Sequence, residues 1–208
     1  MGEGKAKGQM QQGALRTVFL RLDKGELAHD VTELVRVLAG RCEVPLVDTL
    51  PKRLAEGEAG LELGGEGQTL QARFVCADGE ESVERTELDV LPREGVERKR
   101  ALRWAYKQAA YRAMRPHFST NTPWGSLTGI RPSKLLRSMV ERETVDGALK
   151  RMGEDFDVSD AKLALLVNIL ERQAPVLESI GPEDVDLYIG IPFCRTRCQY
   201  CSFAAYPL

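Results

Sequence analysis

From Ala14 to Leu22 apolar and polar residues alternate, the period of a half-buried strand, and Leu27 to Ala39 then repeats Leu, Val and Ala at helical spacing. Further along, Thr69–Cys76 and Ser82–Val90 carry strand-like patterns on either side of Asp78-Gly79, a pair that favours the positive φ of a tight hairpin turn. The stretch between helix and hairpin, Ala55–Gly67, is rich in Gly and Glu and is expected to be a surface loop. Together these elements predict a small α+β module over residues 1–91.

Pro92 is expected to end the hairpin. Val96–Arg115 then sets Leu102, Ala105, Tyr106, Ala109, Ala110 and Ala113 on one helical stripe, with Arg98, Lys99, Arg103, Lys107 and Arg112 opposite. Charged helix faces are most often solvated, and that is the expectation here; an acidic substrate is the alternative. A loop of Pro, Gly and hydroxyl residues follows, Thr120–Pro132, with Trp124 inside it. Pro132 suits the first turn of a helix over Lys134–Val140, and Arg131 beside it is a candidate anion contact, a docked helix start being the plainer reading. Val145–Gly153 and Ser159–Glu178 complete a helical region assigned to 92–180.

After a linker at Gly181–Asp184, the apolar run Val185–Ile191 predicts the first strand of a new domain, 181–208. At its end stand Cys194, Cys198 and Cys201, a C-x₃-C-x₂-C spacing that lets three thiolates take three corners of a cubane iron–sulfur cluster and leaves one iron open. Clustered cysteines also serve zinc, but structural zinc closes a tetrahedron with four ligands, and the two histidines, His29 and His117, lie far upstream. A disulfide framework fits five cysteines in 208 residues poorly. Cys42 and Cys76 stand apart and are expected to be small buried hydrophobes.

Hydrophobic residues make up 43% of the chain and charged residues 29%, with a formal net charge of −2. That balance describes an ordinary soluble, cytoplasmic protein with no bulk attraction to nucleic acid or to a membrane surface. No run approaches the roughly 20 apolar residues of a membrane span, and Met1–Gly13 lacks the apolar core of a secretion signal and reads as a tail.

The run Leu187–Cys194, followed by Cys198-Gln199-Tyr200-Cys201-Ser202-Phe203, resembles the oxygen-independent coproporphyrinogen III dehydrogenases of the radical S-adenosylmethionine (SAM) superfamily. The phrase Asn121–Pro132 resembles their HemZ branch in particular. The resemblance implies that Cys194, Cys198 and Cys201 ligate a [4Fe–4S] cluster, that SAM binds its open iron, and that Tyr188 and Tyr200 contact SAM. It implies a haem-biosynthesis oxidoreductase that decarboxylates two propionates of a porphyrinogen substrate to vinyl groups, with a flavodoxin- or ferredoxin-like electron donor. The overall fold class it implies is α/β, ending in the first strand and cluster loop of a truncated barrel, so the chain alone is expected to be inactive. Where the HemN branch has a histidine this chain has Gly190, and where that branch has a further cysteine it has Phe203, so HemN's proton and electron paths do not carry over. A haem-binding relative of the HemW type and a non-catalytic metal-binding interaction module are the alternatives.

Overall fold

The computed structural model describes residues 9–66, 68–88, 94–119, 122–185, 187–196, 198–199, 201 and 206–207. The expectations at Val90, Pro92, Thr120, Asn121, Tyr200 and Phe203 lie outside them. Contacts divide the chain into two compact units, 1–170 and 171–208.

The first unit is built on a four-stranded sheet with mixed pairing. Strand β1 (Thr17–Leu22) runs parallel to β2 (Glu58–Glu66), which pairs antiparallel with β3 (Thr69–Cys76), itself antiparallel to β4 (Glu81–Glu87). A parallel pair needs a crossover, and α1 (Ala28–Ala39) supplies it. On the way back, residues 43–47 lie along the free edge of β1, where Val18 and Leu20 donate to Glu43 and Pro45 and Val47 donates to Leu20, each at 2.9 Å.

Strand β2 corrects the reading of Ala55–Gly67 as a surface loop. Ala59, Leu61 and Leu63 alternate inward and are fully buried, a period of two that the surrounding glycines conceal. The outward glycine at 60 has a packing reason: a Cβ there would stand 3.0 Å from Leu50 Cδ1 and 3.1 Å from Val75 Cγ1. At the β3–β4 turn Gly79 takes φ +85°, Cys76 donates to Glu80 O at 2.8 Å, and Asp78 Oδ1 accepts from the Glu80 amide at 3.0 Å.

Two helices cover the inward face. Val31, Leu34, Val35 and Leu38 of α1 pack with Leu20, Leu61, Leu70 and Phe74, and α2 (Gly95–Met114) adds Ala105, Tyr106, Ala109, Ala110 and Ala113 to the same core. Asp23 ties this layer together by accepting from Tyr106 Oη at 2.6 Å and from the Gly65 amide at 2.9 Å. The expected solvated basic face of α2 needs correction. Lys107 is buried and donates to Thr128 O at 2.6 Å, while Arg103 pairs with Asp30 of α1 at 2.8 Å.

Lys107 is buried because the other side of α2 carries a second core. It joins Leu136 and Met139 of α3 (Pro132–Val140), Ala148, Met152 and Phe156 of α4 (Val145–Phe156), and Leu166 of α5 (Asp160–Glu178), with Trp104 edge-on to Phe156. The loop from Thr122 threads between α2 and α4: Tyr111 Oη donates to Asp157 Oδ2 at 2.5 Å and meets Thr122 Oγ1 at 3.0 Å, and the Ser126 amide donates to Phe156 O at 2.8 Å. Among the described residues no helix is long and apolar enough to cross a membrane.

Candidate metal centre

The second unit begins within α5, whose Pro175 lies one turn from its end at Glu178. Beyond it the predicted strand over Val185–Ile191 does not form: the described residues there have no regular secondary structure, and Val185, Leu187, Tyr188, Ile189 and Ile191 are between 75% and 89% exposed. Val185, Leu187, Ile189 and Ile191 fall on one face of such a strand with Asp186, Tyr188 and Gly190 on the other, and a strand holds its shape only when others pair with it. No strand pairs with it among the described residues.

Pairing begins two residues later. Strand β5 (Phe193–Cys194) runs parallel to β6 (Tyr206–Pro207) in the register Phe193↔Tyr206 and Cys194↔Pro207. The Tyr206 amide donates to Pro192 O at 2.8 Å, and the rings of Phe193 and Tyr206 stand 6.2 Å apart. This short ladder closes the cysteine loop at its base, so Cys194, Cys198 and Cys201 belong to one closed loop rather than to an open tail. Within it the Cys201 amide donates to Cys198 O at 3.0 Å, a turn that folds the C-x₂-C portion back on itself.

None of the three forms a disulfide; Cys194 and Cys198 are exposed and Cys201 is half-buried. In chemistry the donor set suits a cluster held by three thiolates: soft sulfur ligands, none spent in a disulfide, and no fourth protein ligand prescribed by the motif. In geometry the three sulfurs are not yet gathered, since among the described residues no group of three or more His, Cys, Asp or Glu side chains is placed to hold a metal ion. Tyr188, five residues before the start of β5, is exposed, and a Cβ at Gly190 would stand 3.3 Å from its Cε1. The glycine at 190 thus leaves room for the Tyr188 ring over the backbone. Tyr200 lies outside the described residues.

The other candidates sit in the first unit. Arg131 is the exposed, extended residue that precedes Pro132 at the first position of α3. Cys42 packs half-buried against the first core, and Cys76 is buried at the end of β3. A grouping without local sequence signal surrounds Cys76: its sulfur lies 3.6 Å from His117 Nδ1, and His117 Nε2 lies 2.9 Å from Ser82 Oγ. Ser82 donates to the Ala113 carbonyl, so its oxygen accepts from Nε2–H, which leaves Nδ1 to accept from the Cys76 thiol. Burial, with Asp78 and Glu80 nearby, pushes that thiol up to about 11, so it is a protonated donor and not a nucleophile.

This burial has a measurable consequence. The fold keeps Cys76 and Tyr111 protonated, to about 11 and about 12, and raises Tyr106 through burial and its Asp23 bond, whereas the unfolded chain ionises them at their ordinary 9.0 and 10.0. Their stabilisation is full below the unfolded values and is lost as pH climbs through the folded ones. Lys107 acts the other way: burial lowers it, so stability is regained as pH rises towards its ordinary 10.5. Above 10.5 only the loss remains, and the urea midpoint of the first unit is expected to fall steeply between there and about 12. Tyr111→Phe should flatten that fall; an unchanged slope would contradict the assignment.

With fold and loop in place, comparison with known proteins adds one strand of evidence. No protein-family model matches the chain, and no solved structure matches it. Over part of its length the chain is similar to a curated protein. The similarity is to the oxygen-independent coproporphyrinogen-III oxidase-like protein HemZ of Bacillus subtilis (strain 168), 38% identical over 101 residues, which cover 46% of this chain and 20% of that protein. The chain therefore spans about a fifth of the curated relative it matches.

Proposed function

We propose that this chain carries the cluster loop of a radical SAM oxidoreductase of haem biosynthesis, with coproporphyrinogen III as substrate. The observation that carries the proposal is the set of three cysteines, none in a disulfide, at C-x₃-C-x₂-C spacing inside a loop closed by β5 and β6, in a chain similar over part of its length to HemZ. Cys194, Cys198 and Cys201 hold a [4Fe–4S] cluster, and the lack of a fourth motif ligand leaves one iron for the amino and carboxylate groups of SAM. When bound, the cluster supplies the electron that cleaves SAM reductively. The β5–β6 ladder fixes the two ends of the loop, so gathering the sulfurs costs the ordering of a short segment only. Tyr188 and Tyr200 serve as SAM contacts, a flavodoxin- or ferredoxin-like protein delivers electrons, and the protein works in the cytoplasm, a reading supported by cysteines that form no disulfide.

The test is anaerobic reconstitution with iron and sulfide, followed by metal and sulfide analysis of the desalted protein. About four irons and four sulfides per chain are expected for a cubane cluster. Zinc bound without sulfide would sink the proposal in favour of a structural metal site.

A further inference from the structure

The outward face of the sheet carries a cavity of about 840 Å³ between β1–β3 and the loop 48–54, within the roughly 300–1,000 Å³ typical of small-molecule sites. Its floor is apolar. Leu50 and Val75 meet over Gly60, where any side chain would drive them apart, so the glycine at 60 is what lets the loop's aliphatic residue lie on the sheet.

Its walls are cationic and of two kinds. Arg21 and Arg73 are held in place: Arg21 donates to Glu62 Oε1 at 2.6 Å and to Asp48 O at 3.1 Å, and Arg73 donates to Glu81 Oε2 at 2.7 Å while lying 4.0 Å from Glu62 Oε2. One carboxylate, Glu62, thus stands between two guanidiniums and fixes their spacing, and each guanidinium keeps further N–H groups for another acceptor. On the opposite wall Lys52 and Arg53 are exposed and make no hydrogen bond or ion pair among the described residues. Asp48, Glu62 and the neighbouring Glu81 do not cancel four cations.

An apolar floor between anchored and free cations is the recognition chemistry of an amphipathic anion. We propose that this cavity binds a small molecule with a flat apolar body and two anionic groups, one received by Arg21 and Arg73 and the other by Lys52 and Arg53. The site lies wholly in the first unit and draws on no cysteine of the cluster loop, so it stands or falls independently of the iron–sulfur assignment.

The probe is naphthalene disulfonate, titrated into the full chain while amide proton–nitrogen correlation spectra are recorded, with inorganic sulfate as the anion lacking an apolar body. Shifts are expected at residues 48–54 and around Arg73 and Val75. Affinity should fall at least about tenfold in Lys52→Glu/Arg53→Glu, whose exposed positions leave the remaining spectrum unchanged. Shifts confined elsewhere, such as the exposed run 187–193, or equal affinity in the double variant, would overturn the site. Sulfate binding as tightly as the disulfonate would overturn the apolar half of the proposal.

Discussion

Replacing any one of Cys194, Cys198 or Cys201 by alanine is expected to reduce reconstituted iron from about four per chain to less than about one. A cubane held at three corners has no spare protein ligand, so removing one thiolate leaves two and exposes a second iron to solvent. The described residues supply no alternative group of His, Cys, Asp or Glu that could step in. The same substitutions should leave the thermal transition of the first unit in place, because Cys194 and Cys198 are exposed and all three lie outside both hydrophobic cores. Cys42→Ala and Cys76→Ala are the matching controls. They should cost stability through lost packing yet keep the full iron content, the reverse pattern. Full iron retained in the triple alanine variant would show that the metal binds elsewhere.

Gly125→Ala should lower the stability of the first unit by about 3 kcal/mol or more, a fall in Tm of roughly 6–12 °C for a unit of this size. Gly125 takes φ +54°, and a Cβ there would lie 1.8 Å from the Phe156 carbonyl oxygen and 2.6 Å from Asp157 C. Neither neighbour can yield cheaply. Phe156 O is the acceptor for the Ser126 amide, and Asp157, itself left-handed at φ 58°, caps α4 and receives the Tyr111 hydroxyl. The loop 122–128 would have to lift from α4, breaking those bonds and uncovering the second core. Gly129→Ala separates the two contributions: Gly129 has φ +65° with nothing within 4 Å of a built Cβ, so it should cost only the conformational part, about 1–2 kcal/mol. Equal losses at both positions, measured by thermal and urea denaturation, would contradict the close contact.

Much of the first unit was legible because local pattern and packing agree. Val18 and Leu20 alternate inward as the strand pattern required, the α2 stripe from Ala105 to Ala113 is the stripe that is buried, and Asp78-Gly79 makes the expected turn. The misreadings share one cause, long-range contact. Strand β2 hid behind its glycines, of which Gly60 makes room for Leu50, a neighbour that only the fold supplies. Lys107 falls on the polar side of the α2 pattern, yet a second core closes over that side and leaves its amine a single carbonyl partner in Thr128. The grouping of Cys76, Ser82 and His117 spans β3, β4 and the turn that follows α2 and has no local signature at all. Val185–Ile191 reads as a strand because Val185, Leu187, Ile189 and Ile191 recur at every second position, but a strand needs pairing partners that no described residue provides. The spacing of Cys194, Cys198 and Cys201, by contrast, is a local property that can be read without the fold. The closure of their loop by Phe193 and Tyr206 is not, because a two-residue ladder leaves no periodic trace.

The proposed function requires an open iron, and electron paramagnetic resonance of the reconstituted, dithionite-reduced protein with and without SAM tests that most directly. The account predicts a [4Fe–4S] signal whose g-values shift when SAM is added, because the amino and carboxylate groups bind the iron that no cysteine holds. A cluster signal identical in the presence and absence of SAM would contradict it.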